Sequence, residues 1–151
     1  MRIVIQRAAR ASVSIAGEKV ASIGHGLMVL VGVEDGDTEA DARWLAAKTL
    51  GLRVFDDDAG VMNLSVEQAH GGILAVSQFT LTASTRKGNR PSYIRAAGHA
   101  TATALYDLYC SLLAQSTEIA GVGRGVFGAD MQVELVNDGP VTIIIDSRLK
   151  E

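Results

Sequence analysis

The sequence predicts an α+β domain whose sheets curl around a common core. Three observations lead there. Apolar residues recur with period two at both ends of the chain, two stretches with helical spacing lie between them, and the regular βαβα order of a doubly wound fold is absent. With 151 residues, 48% hydrophobic and 21% charged, the chain can bury a core and is too apolar for disorder. No repeat, low-complexity tract or linker interrupts it, so residues 1–151 read as one domain.

The elements follow in order. Ile3 and Ile5, then Val13 and Ile15, alternate as half-buried strands do, and Gly17-Glu18-Lys19 offers the turn of a hairpin. Gly26 to Val33 is a continuous apolar run bracketed by glycines, which marks a strand covered on both faces. Asp37 is the expected N-cap of a helix running to Leu50. Glu39 sits in its first turn, and Ala42, Leu45, Ala46, Thr49 and Leu50 form its apolar face. A further strand spans Ile73 to Phe79 and leads into a polar loop holding Gly88 and Pro91. Ala97, Ala100, Ala104, Leu105, Leu108 and Leu112 then share one face of a longer helix. Met131 to Val136 and Val141 to Ile145 read as two strands joined by Asn137-Asp138-Gly139-Pro140.

Several classes of function fall away. A lone cysteine, Cys110, forms no intrachain disulfide, which removes a bridge-stapled scaffold, and its apolar helix neighbours suit a buried, inert thiol. The N-terminus has no long apolar region with a small-residue cleavage site, and apolar runs such as Leu27 to Val31 are far too short for a bilayer. The cytoplasm is the expected location, with no membrane partner. Gly123, Gly125 and Gly128 match G-x-G-x-x-G, yet they lead into the strand-like alternation of Ala129 to Leu135. A dinucleotide fingerprint must open a helix. Asp56, Asp58 and Glu67 have calcium-loop spacing, but Val61 stands where the loop needs glycine. His25, His70 and His99 lack metal-ligand spacing, so no metal is expected.

Charge is uneven. Between Gln68 and Tyr106 there is no Asp or Glu, while Arg86, Lys87, Arg90 and Arg95 lie there. Against an overall net charge of −3, that segment is +4 and the rest is −7. Such a patch suits a partner that offers a few phosphates; charge by itself also fits a solvated basic loop.

Two segments carry more information: Ser77-Gln78-Phe79-Thr80-Leu81 and Asn137-Asp138-Gly139-Pro140-Val141-Thr142. With them the chain closely resembles the D-aminoacyl-tRNA deacylases, whose signature motifs are SQFTL and NxGPVT in this order. The likeness extends through Gln6-Arg7, Ala11-Ser12-Val13, Ile23-Gly24, Gly32-Val33-Glu34, Met62-Asn63-Leu64, Arg90-Pro91-Ser92, Ala104 to Asp107 and Phe127 to Met131. Arg124 departs from the threonine that the family more often shows.

The resemblance implies a barrel-like pair of mainly antiparallel β-sheets with flanking helices. It implies an ester hydrolase that removes D-amino acids from tRNA, and glycine mischarged onto alanine tRNA, as chiral proofreading in translation. It further implies a homodimer with pockets at the subunit interface, no organic cofactor, and the charged tRNA acceptor end as partner. Ser77, Gln78, Phe79 and Thr80 are the expected active-site residues. Gly139 and Pro140 would enter from the partner subunit through a cis bond that aims their carbonyls into the pocket. An L side chain would clash with those carbonyls, whereas a D side chain points away and glycine has nothing to clash. Arg7 and Met131 would support the site; Arg7 read alone is equally a surface charge. Arg86, Lys87, Arg90 and Arg95 are the expected phosphate contacts.

If Ser77 to Leu81 is extended, Ser77 and Phe79 face one side and Gln78 and Thr80 the other. Thr80 is then the obvious nucleophile, but a hydroxyl needs an adjacent base and no histidine lies nearby in sequence. Backbone N–H groups of the segment, holding the developing oxyanion, are the favoured alternative. Two other classes compete with the hydrolase: a catalytically silent module that binds a tRNA end or a nucleotide, and a general esterase.

Overall fold

One long strand organises the molecule. The computed structural model describes residues 1–150, and in it β1 (Arg2–Ile15) runs unbroken through the two alternating stretches near the N-terminus. It turns through Ala16 and Gly17, both at positive φ, into β2 (Glu18–Ile23), which completes the expected hairpin. β3 (Gly26–Gly32) takes up the same edge of β1 further along, pairing antiparallel from Arg2 to Ala8, while β2 holds Ala11 to Ile15. A small hairpin, β4 (Phe55–Asp56) with β5 (Met62–Leu64), stands apart. β6 (Gly72–Ser77) adds parallel to β3, and β7 (Gly121–Arg124) parallel to β6. The opposite edge of β1 is filled by β8 (Gln132–Asp146), antiparallel.

The result is a six-stranded mixed sheet beside the two-stranded β4–β5 sheet, with β2 and β7 at the two ends of the larger sheet's main path. These two approach without hydrogen-bonded pairing. A methyl group on Gly123 of β7 would lie 3.3 Å from the Ala21 Cβ of β2, so the sheet curls almost into a closed barrel.

Alternation explains why the sheet is covered on both faces. Leu27, Val29, Val31, Ile3, Ile5, Ile73 and Ala75 face the layer made by α1 (Glu39–Gly51) and α2 (His99–Ala114). Met28, Leu74, Val76, Ala11 and Val13 pack on the other side with Met131, Val133 and Leu135. Each fully buried side chain of this size contributes about 1.5–3 kcal/mol of transfer free energy. Cys110 is buried in the first layer, and burial pushes its thiol up to about 11. Among the described residues no helix is long and apolar enough to cross a membrane.

Four expectations are corrected. The buried face of α2 is Ala102, Leu105, Tyr106, Tyr109, Cys110 and Leu113, turned from the expected one because the aromatic and thiol side chains face the sheet, and Ala100 and Ala104 are exposed. The cap of α1 is Thr38, whose amide and hydroxyl both donate to Asp41 Oδ2 at 2.8 and 2.9 Å. Asp37 is withdrawn from that role by a buried ion pair with the Met1 ammonium (2.7 Å) and by the Glu34 amide, which donates to it at 2.6 Å. The strand expected to reach Phe79 ends at Ser77, and residues Phe79–Thr82 form a 3-10 turn instead. The two C-terminal strands are a single strand, β8, broken by a bulge. Gln6 pairs with Thr142 and Ala8 with Asn137, so residues 138–141 stand opposite Arg7 alone.

Candidate active site

At the C-terminal end of the parallel strands β3 and β6 the sheet opens into a cleft of about 500 Å³. Ser77, Gln78 and Phe79 form one wall, Met131 and the turn from Phe127 to Asp130 another, and His99 and Ala102 of α2 a third. The cleft arises because β6 stops abruptly. The Gln78 amide still donates to the Val31 carbonyl at 2.7 Å, and then the chain coils into the 3-10 turn, closed by Ala83 N–H to the Thr80 carbonyl at 3.1 Å.

That coil changes the expected geometry of the SQFTL segment. In an extended strand Gln78 and Thr80 would share a face opposite Phe79. In the turn Gln78 Nε2 donates to Thr80 Oγ1 at 2.6 Å, while the Phe79 ring is 56% exposed at the cleft mouth. The Thr80 hydroxyl thus meets an amide donor, and among the described residues no base is hydrogen-bonded to it. Thr82, one turn along, donates its hydroxyl to the Phe79 carbonyl at 2.8 Å. Phe79 and Thr80 open the turn, and among the described residues their backbone N–H groups have no acceptor.

Met131 closes the floor. A methyl group on Gly125 would come within 2.6 Å of its sulfur, so the glycine leaves room for the thioether against Val76. Phe127 is held by rings on both sides: His99 meets it edge-on at 5.2 Å and Tyr106 lies tilted at 5.9 Å. Tyr106 donates its hydroxyl to the Ala75 carbonyl at 2.9 Å, and burial drives its pKa far upward, so it serves as a neutral strut. Arg124 lies over the Tyr106 ring at 5.1 Å and pairs with Asp107. The sequence offers no signal for His99 as a cleft residue, and for Phe127 only its place in the Phe127 to Met131 stretch that resembles the family. His99 has no metal-ligand spacing, and Phe127 sits inside the glycine triplet that opens no helix. Only the packing of α2 beneath the turn after β7 puts them in the cleft.

Gly139 and Pro140 do not line this cleft. They form the exposed crest of the β8 bulge, joined by a cis peptide bond, with Gly139 at φ +127°. Arg7 is 8% exposed directly beneath. Its Nε donates to the Asp138 carbonyl at 3.0 Å, and its Nη1 donates to the Val54 carbonyl at 2.6 Å. Asp56 and Asp138 carboxylates flank it at 3.4 and 3.5 Å. A buried guanidinium is costly unless its donors are met, and here the bulge itself supplies one of the acceptors.

Arg86, Lys87 and Arg90 are exposed on the loop beyond the turn. Arg95 differs. Its guanidinium donates to the Thr82 carbonyl at 3.0 and 3.2 Å and approaches Glu34 at 3.7 Å, so it fastens the base of that loop. Among the described residues no group of three His, Cys, Asp or Glu side chains is placed to hold a metal ion.

Comparison with known proteins identifies the family. The family model described as D-Tyr-tRNA(Tyr) deacylase matches residues 4–146. D-aminoacyl-tRNA deacylases of Phocaeicola vulgatus and Porphyromonas gingivalis are 56% and 57% identical over 151 residues, covering 100% of both chains in each pair. The solved structure of a c-Myc DNA Unwinding Element Binding Protein superposes with a TM-score of 0.91 at 39% identity, covering 97% of this chain and 98% of that one. A probable eukaryotic D-amino acid tRNA deacylase shares the fold, with a TM-score of 0.80 at 20% identity over 95% and 97% of the two chains.

Proposed function

From the premise that the chain belongs to the D-Tyr-tRNA(Tyr) deacylase family, and is an ester hydrolase acting on D-aminoacyl-tRNA, we propose how its residues do that work. The cleft takes the terminal adenosine, with the ester at the Ser77–Thr80 end. Water adds to the ester carbonyl, negative charge gathers on its oxygen, and the bond to the ribose 3′-oxygen breaks, that oxygen taking up the proton the water gives up. The neighbouring 2′-hydroxyl assists the water. The amides of Phe79 and Thr80 are the donors for that oxygen, and the observation carrying this reading is that neither has an acceptor among the described residues. One such donor is typically worth about 10²–10³ in rate. Gln78 and Thr80 hold the turn in shape through their mutual hydrogen bond, so Thr80 is a positioning residue and not the nucleophile.

Chirality is sorted by Gly139 and Pro140 of a second copy, whose carbonyls exclude an L side chain and admit D side chains and glycine. Two features support this homodimer. The crest is exposed and absent from its own chain's cleft, and the outer edge of β8 is unpaired among the described residues, with Val136 and Ile144 exposed along it. Glycine mischarged on alanine tRNA is a substrate on the same argument. Arg86, Lys87 and Arg90 contact phosphates, Arg95 acts mainly as a clasp, and no cofactor takes part. A single domain, residues 1–151, carries the activity in the cytoplasm, where charged tRNA is used.

Hydrolysis of D-, L- and glycyl-tRNA measured side by side tests the reading. D-aminoacyl and glycyl esters are expected to be cleaved and the L-ester spared. Equal cleavage of both enantiomers would overturn exclusion by the crest. One solved relative is named for binding a DNA element, which makes plain nucleic-acid binding the second reading. It is favoured if the protein binds a tRNA end without turning it over.

A further inference from the structure

We propose that Tyr93 and Ile94, together with Phe79, form a stacking platform for the unpaired nucleotides that precede the esterified adenosine of the tRNA. The proposal rests on the cleft reading given above. Phe79 belongs to two surfaces at once: it lines the cleft mouth, and its ring meets that of Tyr93 edge-on at 5.1 Å. Next to it Ile94 is 88% exposed, so an apolar and aromatic strip leads outward from the cleft. Exposed aromatic rings beside cationic side chains are what single-stranded nucleic acid binds, because every base has a stackable face.

The strip is fixed relative to the cleft. Ser84 and Ser92 exchange two backbone hydrogen bonds of 2.8 and 2.9 Å, and the Ala96 amide donates to the Tyr93 carbonyl at 2.9 Å. Arg86, Lys87 and Arg90 all lie between the two serines, so the clasp presents a basic tip beside the aromatic strip. The segment from Gln68 to Tyr106 carries no acidic residue of its own, and the neighbouring Glu34 carboxylate is paired with Arg95 at 3.7 Å and Arg148 at 3.2 Å.

The geometry fits a substrate that runs from the cleft over Phe79 onto Tyr93 and Ile94, with its phosphates against the basic tip. Hydrolysis of D-tyrosyl-tRNA and of the D-tyrosyl ester of adenosine, which lacks the preceding nucleotides, separates the platform from the cleft. Tyr93→Ser and Ile94→Ser are each expected to raise KM for the tRNA about tenfold, with kcat and cleavage of the adenosine ester unchanged. Tyr93→Phe, which keeps the ring, is expected to retain wild-type KM. The proposal is overturned if the serine variants lose both substrates equally, lose neither, or sediment at a lower mass than wild type, which would make the strip a subunit contact. Wild-type protein inactive on both substrates would instead bring down the cleft reading, and the platform with it.

Discussion

Thr80 and Gly139 show how little a side chain's chemistry decides here and how much its position does. Thr80 carries the hydroxyl that the SQFTL segment offers as its obvious nucleophile, but its Oγ1 accepts from Gln78 at 2.6 Å and has no base hydrogen-bonded to it among the described residues. Thr80→Ala is therefore expected to keep single-turnover hydrolysis within about tenfold of wild type, since loosening a positioning contact costs far less than removing a nucleophile. Complete loss of hydrolysis with substrate binding intact would restore Thr80 as the attacking group. Gly139 is constrained more tightly. A Cβ there would lie 2.9 Å from Val141 Cγ2 and 3.2 Å from the Arg7 guanidinium, at a φ of +127° that L residues rarely adopt. Gly139→Ala is expected to displace the crest, lower D-ester hydrolysis by roughly 10²-fold, and lower stability by about 1–3 kcal/mol through backbone strain without unfolding the protein. Unaltered rates and unaltered D-over-L selectivity would remove the crest from the site.

Among the elements, the face of α1 is readable from spacing, whereas the buried face of α2 and what joins the elements are not. Ala42, Leu45, Ala46 and Thr49 are the buried face of α1, as their period requires. The Thr49 hydroxyl bonds both ways, to the Leu45 carbonyl and with the Tyr109 hydroxyl at 2.8 Å, and the second bond depends on α2 crossing at that point. Both groups are wholly buried. Thr49→Val keeps the shape but strands the Tyr109 hydroxyl, with an expected loss of about 1–3 kcal/mol of stability in urea unfolding. Activity should persist, because neither residue reaches the cleft. The bulge in β8 is the complementary case. Its turn-forming residues suggest a loop between two strands. Continued pairing with β1 on both sides of Arg7 makes it an outward kink in one strand, which is what projects Gly139 and Pro140 from the surface.

At the scale of the whole molecule, the two ends of the chain are bound together by charge as well as by the β1–β8 ladder. Asp146 accepts from Arg2 at 2.7 Å and from the Arg148 amide at 2.9 Å. Burial alone would raise its pKa, but those hydrogen bonds and the Arg2 charge outweigh burial and hold the carboxyl below its ordinary value. A carboxylate depressed in the folded state contributes stability that is complete above its unfolded pKa of about 3.9, and the contribution is lost as pH falls from there through the lower folded value. Unfolding free energy is therefore expected to drop as the pH is lowered through the carboxylate range. Asp146→Asn should be less stable at pH 7 and show a shallower acid slope. An identical slope in the variant would mean that this pair does not fasten the termini.

Period and propensity alone determined that this chain is α+β, that β3 is covered on both faces, that two helices lie between strands, and that the glycine triplet opens no dinucleotide site. Those properties follow from local spacing, which any single stretch of residues carries with it. Resemblance located SQFTL and Gly139-Pro140, yet their surroundings were decided only by long-range pairing. The end of β6 forces Phe79 and Thr80 into a turn with free amides, α2 brings His99 and Phe127 to the same cleft, and Arg7 is buried under a bulge whose Asp138 lies 131 positions away. A residue's neighbours across a sheet are set by register and closure, and no local pattern encodes them.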